Sequence, residues 1–93
     1  MNLPGLQPLR EAIDDIDQQI LELLRRRVRH VLEVGELKRR HGTKVYDPER
    51  ERRVLDRLAS TAQQPLEGTT ARRVFERIID ESRRQEKQHI QED

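Results

Sequence analysis

The stretch that decides the fold is residues 9–37, which read LREAIDDIDQQILELLRRRVRHVLEVGEL. Its apolar side chains recur at alternating intervals of four and three residues, at Leu9, Ile13, Ile16, Ile20 and Leu23. Val34 and Leu37 resume the same register further along. This spacing predicts an amphipathic α-helix over about residues 7–40. Pro8 suits its first turn, and Gly42 lies just past its end. Gly35 inside the helix costs about 1 kcal/mol relative to alanine.

A second, shorter helix follows a loop at residues 41–46. Asp47 and Pro48 are typical of an N-cap and a first helical residue. We therefore expect this helix over about residues 48–61. Its apolar residues Val54, Leu55 and Leu58 recur at helical spacing and are expected to point inward.

A third helix is expected after the loop at residues 63–68, with Thr69 or Thr70 as its cap. It covers about residues 70–88 and carries the apolar residues Val74, Phe75, Ile78 and Ile79. The helix is expected to fray near Gln88, and the polar tail from Gln85 to Asp93 is either disordered or leads onward. Because the sequence has no strand pattern, repeat or glycine-rich phosphate loop, we predict one all-α domain, residues 1–93.

The composition excludes several classes of protein. The 93 residues are 32% hydrophobic and 40% charged, with one Tyr, one Phe and no Trp. These proportions exclude a large self-contained core, a membrane span and an aromatic platform for single-stranded nucleic acid. Cysteine is absent, and His41 and His89 lack metal-ligand spacing, so we predict no disulfide and no metal. The first ten residues do not form a secretory signal, and we expect a cytoplasmic protein.

The length of the first helix predicts a dimer. About 34 residues at about 1.5 Å each span roughly 50 Å, whereas a compact chain of this size has a radius of gyration of about 12 Å. Two short helices cannot cover so long an apolar stripe. The same helix of a second copy is the simplest cover, so we expect an intertwined homodimer.

Polar residues interrupt the inward stripes. Arg27 continues the heptad register from Leu23, and Lys38 follows eleven residues later on nearly the same side of the helix. Ser82 and Glu86 continue the stripe of the third helix. Each has an ordinary explanation: a solvated face, a favourable helix dipole, or a helix emerging into water. Asp47 is explained completely as a cap, and Glu51 could act on a helix dipole.

The ordered set of motifs is more specific than any one of them. It runs Leu-Arg-Glu, Ile-Asp-x-Ile-Asp, Leu-Leu-x-x-Arg, Glu-Val-Gly-x-x-Lys and Asp-Pro-Glu-Arg-Glu over residues 9–51, then Phe-Glu-Arg-Ile-Ile-Asp-Glu-Ser in the third helix. With this set the chain closely resembles the all-helical chorismate mutase family over nearly its whole length. The resemblance implies a domain-swapped dimer of three-helix chains, with two active sites that are each built from both chains.

The resemblance also implies an activity. Chorismate mutases convert chorismate to prephenate by a unimolecular Claisen rearrangement, a step of aromatic amino-acid biosynthesis that needs no cofactor. Such catalysis depends on holding a dianion in a chair-like conformer and on stabilising the charge that develops on its ether oxygen.

Site residues carry over position by position. Arg10 of the partner subunit and Arg27 would bind substrate carboxylates, and Ser82 would assist one of them. Lys38 would contact a carboxylate and the ether oxygen. Arg10 and Arg27 are about 25 Å apart along one helix, too far to share a site within one chain.

The remaining positions concern the ring hydroxyl and the second ether-oxygen donor. Asp47, through its backbone, and Glu51 would hold the hydroxyl, and Arg50 would line the pocket. Glu86 falls where the family places the second donor. A glutamate donates a hydrogen bond only when it is protonated. Nearby cations lower its pKa whereas burial and a bound dianion raise it, and the sequence leaves that balance open.

Three alternatives stay open. Isochorismate-pyruvate lyases share this fold, although Asp47 and Glu51 together favour the mutase. An arginine-rich helical dimer could bind nucleic acid, but 19 basic and 18 acidic residues are interspersed and the net charge is +1. The chain could also be a purely structural helical dimer, but that role does not explain why cations occupy the inward positions 27 and 38. The domain could also be fused to, or complexed with, another enzyme of the aromatic pathway.

Overall fold

Three helices make up the chain in a computed structural model that describes residues 3–92, with side chains for residues 3–90. They are α1 (Leu6–Arg40), α2 (Pro48–Thr61) and α3 (Gly68–Glu92). No strand occurs in the described range, which confirms the predicted all-α class. No helix within that range is long and apolar enough to cross a membrane. The chain divides into an N-terminal unit, residues 1–30, and a C-terminal unit, residues 31–93.

The described part of the N-terminal unit is a short lead-in followed by the first 25 residues of α1, and its apolar stripe is exposed. The side chains of Leu9, Ile13, Ile16, Ile20 and Leu23 are between 47% and 65% exposed in the single chain. The sequence predicts that these residues point inward, and helical spacing does place them on one face of α1. Their exposure is what the helix-length argument anticipates for a chain that cannot cover the stripe alone.

The C-terminal unit contains the end of α1 together with α2 and α3. Its buried apolar residues are Val54 of α2 and Ala71 and Ile79 of α3. Two ion pairs, Arg83–Glu51 and Arg72–Asp56, join α2 to α3. The later residue of one helix pairs with the earlier residue of the other, so the two helices run antiparallel.

The end of α1 is closed by a Schellman motif. The backbone N–H of Gly42 donates to the carbonyl of Arg39 at 3.1 Å, and that of Thr43 donates to the carbonyl of Lys38 at 2.9 Å. Gly42 has φ +67°, a left-handed conformation that glycine adopts without the cost a side chain imposes. The motif reverses the chain immediately after α1 and returns it along the last turn of that helix.

The beginning of α2 is as predicted, and the bounds of α3 differ. Asp47 caps α2 and Pro48 opens it. The sequence predicts the third helix at residues 70–88 with a threonine cap, but it begins at Gly68, where the N–H of Ala71 already donates to the carbonyl of Glu67. It also continues to Glu92.

Two tertiary contacts account for the longer third helix. Gly68 packs directly on the backbone of Ala59 at the end of α2, which allows helical geometry to begin before the threonines. At the other end, Nε2 of His89 lies 3.3 Å from Oε1 of Glu36 on α1, so the last turns have a partner. A single-sequence pattern contains neither contact.

Gly68→Ala is expected to destabilise the chain by about 1–3 kcal/mol, a typical cost of overpacking. A Cβ at this position would lie 2.5 Å from the carbonyl oxygen of Ala59, and a backbone atom cannot move away cheaply. The free energy of unfolding from urea denaturation at matched protein concentration measures the effect. An unchanged or higher stability, as expected if only glycine's chain entropy mattered, would contradict the packing argument.

Candidate active site

The predicted site residues divide between the two units. Arg10 and Arg27 belong to the N-terminal unit, where Arg10 is exposed and Arg27 is half-buried. The C-terminal unit holds the others, which are Lys38, Asp47, Arg50, Glu51, Ser82 and Glu86. Within that unit the charges of Lys38 and Glu51 both act on Glu86. These three side chains come from α1, α2 and α3 respectively.

Glu86 is the most unusual member of this group because it is an acid with only 7% of its surface exposed. Its side chain lies directly on the backbone of Gly35 in α1. Burial raises the pKa of Glu86 above its usual value of 4.5; the Lys38 ammonium opposes this shift and the Glu51 carboxylate adds to it. The direction that the sequence left open is therefore upward, so the neutral acid, which can donate a hydrogen bond, persists to a higher pH than in an ordinary glutamate.

Lys38 is held in place by the chain reversal at the end of α1. Its Nζ donates to the backbone carbonyl of Val45 at 3.2 Å, and the side chain is half-buried. An ammonium has three donor hydrogens, so this bond engages one of them. The Schellman motif that returns residues 43–45 along α1 thus also orients the cation beside Glu86.

Glu51 is paired with a residue that the sequence analysis missed. Arg83 of α3 donates from Nε to Oε2 of Glu51 at 3.1 Å and from Nη2 to Oε1 at 2.6 Å. Arg83 also lies 3.2 Å from Asp80 and has its guanidinium carbon 4.8 Å from the centre of the Tyr46 ring. The hydrogen bonds to Glu51 raise the pKa of Arg83. A carboxylate held this way accepts hydrogen bonds and donates none.

The sequence indicates a role for Arg83 only through its spacing from Glu86. It stands three residues before Glu86, and residues three apart on a helix share a face. However, its partner Glu51 is 32 positions away, on another helix. Only the packing of α2 against α3 identifies the pair.

Ser82 is buried, with 4% of its surface exposed, and its Oγ donates to the carbonyl of Ile78 at 2.7 Å. The idea that α3 emerges into water at Ser82 and Glu86 is therefore wrong. Asp47 accepts a hydrogen bond from the backbone N–H of Arg50 at 3.1 Å, and both residues are exposed. This is the capping contact that the sequence predicted.

Much of the remaining positive charge is paired on helix surfaces. Examples on single helices are Arg25–Glu22, Arg53–Glu49 and Arg84–Glu81. Such pairing disfavours a continuous stripe of phosphate contacts. Among the residues that the structure describes, no three His, Cys, Asp or Glu side chains converge as a metal site requires. The chemistry on offer is an ammonium as a donor, an acid that donates when it is protonated, and an ion-paired carboxylate as an acceptor.

Comparisons with known proteins identify the family of this chain. A family model described as chorismate mutase type II matches residues 9–87. The chorismate mutase of Methanocaldococcus jannaschii is 30% identical over 88 residues, covering 94% of this chain and 89% of that one. A solved structure of chorismate mutase (form II) from Thermus thermophilus superposes with a TM-score of 0.85 at 35% identity, covering 88% of this chain and 93% of that one.

A longer relative carries chorismate mutase as the first part of its name. The bifunctional chorismate mutase/prephenate dehydratase of Neisseria gonorrhoeae is 44% identical over 77 residues, which is 82% of this chain but only 20% of that protein. The fold is thus that of a small all-helical enzyme domain. The chain belongs to the chorismate mutase type II family, which confirms the family that the motifs suggested.

Proposed function

We propose that this chain catalyses the rearrangement of chorismate to prephenate in aromatic amino-acid biosynthesis. The observation that carries the proposal is a buried Glu86, whose pKa is raised, lying within the electrostatic influence of the Lys38 ammonium. Both residues stand at positions that the family pattern marks for the ether oxygen of the substrate. A binding protein for an ordinary anion gains nothing from a buried acid beside its cation.

The chemistry needs only positioning and charge stabilisation. The ether carbon–oxygen bond breaks while a new carbon–carbon bond forms, so no atom enters or leaves. Negative charge grows on the ether oxygen, where Lys38 and neutral Glu86 would both donate hydrogen bonds. Removing one such preorganised donor typically costs about 100-fold or more in rate.

The other residues would bind and orient the dianion. Arg27 and Arg10 of the partner subunit would pair with the two carboxylates, since a guanidinium matches a carboxylate with two parallel hydrogen bonds. Ser82 would assist one carboxylate. These assignments rest on the family resemblance, residue by residue.

The ring hydroxyl requires an acceptor. Glu51 supplies one, because its carboxylate oxygens are acceptors held in place by two hydrogen bonds from Arg83. Asp47 would contribute through its backbone, since its side chain is occupied as the cap of α2. Arg50 would line the pocket beside them.

The proposal includes a homodimer. The exposed stripe of α1 is long, regular and apolar, and a second copy offers a matching surface. A site that takes Arg10 from the partner would be incomplete in one chain. The family resemblance and the exposed stripe support this assembly independently.

Two further expectations accompany the proposal. The Neisseria relative is named for a chorismate mutase and a prephenate dehydratase together, so fusion to, or complex formation with, another enzyme of the aromatic pathway fits this family. We also propose that the protein is cytoplasmic. We propose that it needs no metal or cofactor.

Arg27→Ala and Lys38→Ala are each expected to lower chorismate turnover by at least about 100-fold, because each removes a charged donor that touches the dianion. Loss of chorismate absorbance measures the rate, and circular dichroism checks that each variant stays helical. Arg53→Ala, which removes a surface arginine paired with Glu49, is the matched control and should retain the wild-type rate.

A wild-type protein that leaves chorismate unchanged would refute the mutase assignment. Incubation with isochorismate tests the sibling chemistry in the same preparation. Release of salicylate and pyruvate, at a rate above that of prephenate formation from chorismate, would transfer the assignment to the lyase.

Activity is expected to fall as pH rises, because the productive Glu86 is the protonated acid. Its pKa is raised, so the neutral form persists above the usual range for a glutamate and is lost as pH passes the shifted value. The charged groups acting on it are Lys38 and Glu51. Glu86→Gln supplies a donor at every pH and should flatten this dependence, as a pH profile of kcat/KM would show. A wild-type profile that stays flat across the same range would contradict the assigned protonation state.

Ile16→Glu is expected to disrupt the dimer and with it the activity, because it places a charge in the middle of the exposed apolar stripe. Light scattering should report about twice the 11.1 kDa chain mass for the wild type and a lower mass for the variant. Gln18→Glu adds the same charge on the opposite face of α1 and should remain dimeric. An active wild-type monomer would contradict the proposed assembly.

A further inference from the structure

We infer that Gly35 is a positioning residue for Glu86: its bare backbone is the surface on which the Glu86 carboxyl is seated. The inference rests on the proposed function, because it assigns Gly35 a role in placing the donor for the ether oxygen. It concerns a residue that touches no substrate and acts entirely through its neighbour.

The geometry at this contact is unusually close. A Cβ built on Gly35 would lie 2.8 Å from Oε2 of Glu86, 2.9 Å from its Cγ and 3.2 Å from its Cδ. Real Cβ atoms essentially never approach another heavy atom to less than 3.0 Å. Any side chain at position 35 must therefore move the outer half of Glu86, including the oxygen that would hold the proton.

Backbone conformation does not explain this glycine. Gly35 lies inside α1, and the glycines with positive φ in the described range are Gly5 and Gly42. A helix interior favours alanine over glycine, so the chain accepts a less stable helix at this point. Gly35 is also the buried residue of α1. What requires the missing side chain is the close approach of Glu86.

Lys38 explains why the approach matters. It stands three residues after Gly35 on α1, so the two positions share a face of the helix. Seating the Glu86 carboxyl on Gly35 brings it down to the helix that carries the ammonium. A carboxyl pushed off this surface would leave Lys38 oriented by Val45 but would separate the two donors.

The atoms that obstruct a side chain decide what a substitution does. At Gly35 they belong to the outer end of a flexible side chain, which can rotate away while both helices stay in place. At Gly68 the obstructing atom is the carbonyl oxygen of Ala59, part of a helix backbone. The same substitution should therefore impair catalysis at Gly35 and folding at Gly68.

The test compares chorismate turnover in the wild type, Gly35→Ala, Glu86→Ala and the double variant, using the full chain. Gly35→Ala should lose on the order of 100-fold in kcat, the cost of misplacing a catalytic group by about 1 Å. Its thermal unfolding midpoint should be no lower than that of the wild type. The double variant should be no slower than Glu86→Ala alone. Glu86→Ala already lacks the carboxyl, so a methyl group at position 35 has nothing to displace.

Two outcomes in active protein would overturn the inference. One is a Gly35→Ala variant with the wild-type rate. The other is an equal loss from Gly35→Ala in the wild-type and Glu86→Ala backgrounds, which would indicate a general structural effect. Gly68→Ala is the matched glycine control: it should lower the unfolding midpoint and leave the rate per folded molecule unchanged.

A readout independent of activity separates this inference from the proposed function. Titration of the Glu86 side-chain carboxyl carbon by NMR should give a pKa that moves back toward the usual value in Gly35→Ala, because the displaced carboxyl is less buried. An unchanged titration would overturn the inference. If the wild type failed to convert chorismate but the titration moved, Gly35 would still position Glu86 and only the assigned reaction would be wrong.

Discussion

The contact of a buried acid with a helix backbone is the constraint on which the rest of this structure depends. Burying a carboxyl is unfavourable for its charged form, and the chain accepts that cost at Glu86 while also accepting a glycine inside α1. The buried carboxyl and the helical glycine are explained together, since Glu86 can lie against α1 only where the helix has no side chain. The result is an acid whose pKa is raised by burial although the charge of a lysine opposes the shift.

Glu51 shows why this is a specific arrangement and not a general property of the carboxyls here. Glu51 and Glu86 act on the same small region, but Glu51 is held by two hydrogen bonds from Arg83 whereas Glu86 is held by burial on Gly35. One environment suits a charged acceptor and the other a neutral donor. Placing two acids in different surroundings is how one site obtains both functions from a single chemical group.

The sequence predicted what depends on local pattern, and it could not predict what depends on packing between helices. The Asp47–Pro48 start of α2 is a local signal, and the structure confirms it. The packing of α2 against α3 produces both the start of α3 at Gly68 and the pairing of Glu51 with Arg83. The direction of the Glu86 pKa shift likewise depends on burial, for which a single sequence provides no measure.

Folding and the proposed catalysis are linked through the proton on Glu86. Because the pKa of Glu86 is raised in the folded chain, the folded state binds this proton more tightly than the unfolded state does. Its contribution to stability is therefore fully present below the usual value of 4.5 and is lost as pH rises through the shifted value. The protonated form is also the one that can donate to an ether oxygen. The same desolvation therefore makes both the stability of the fold and the proposed catalysis decrease as pH rises through the shifted value.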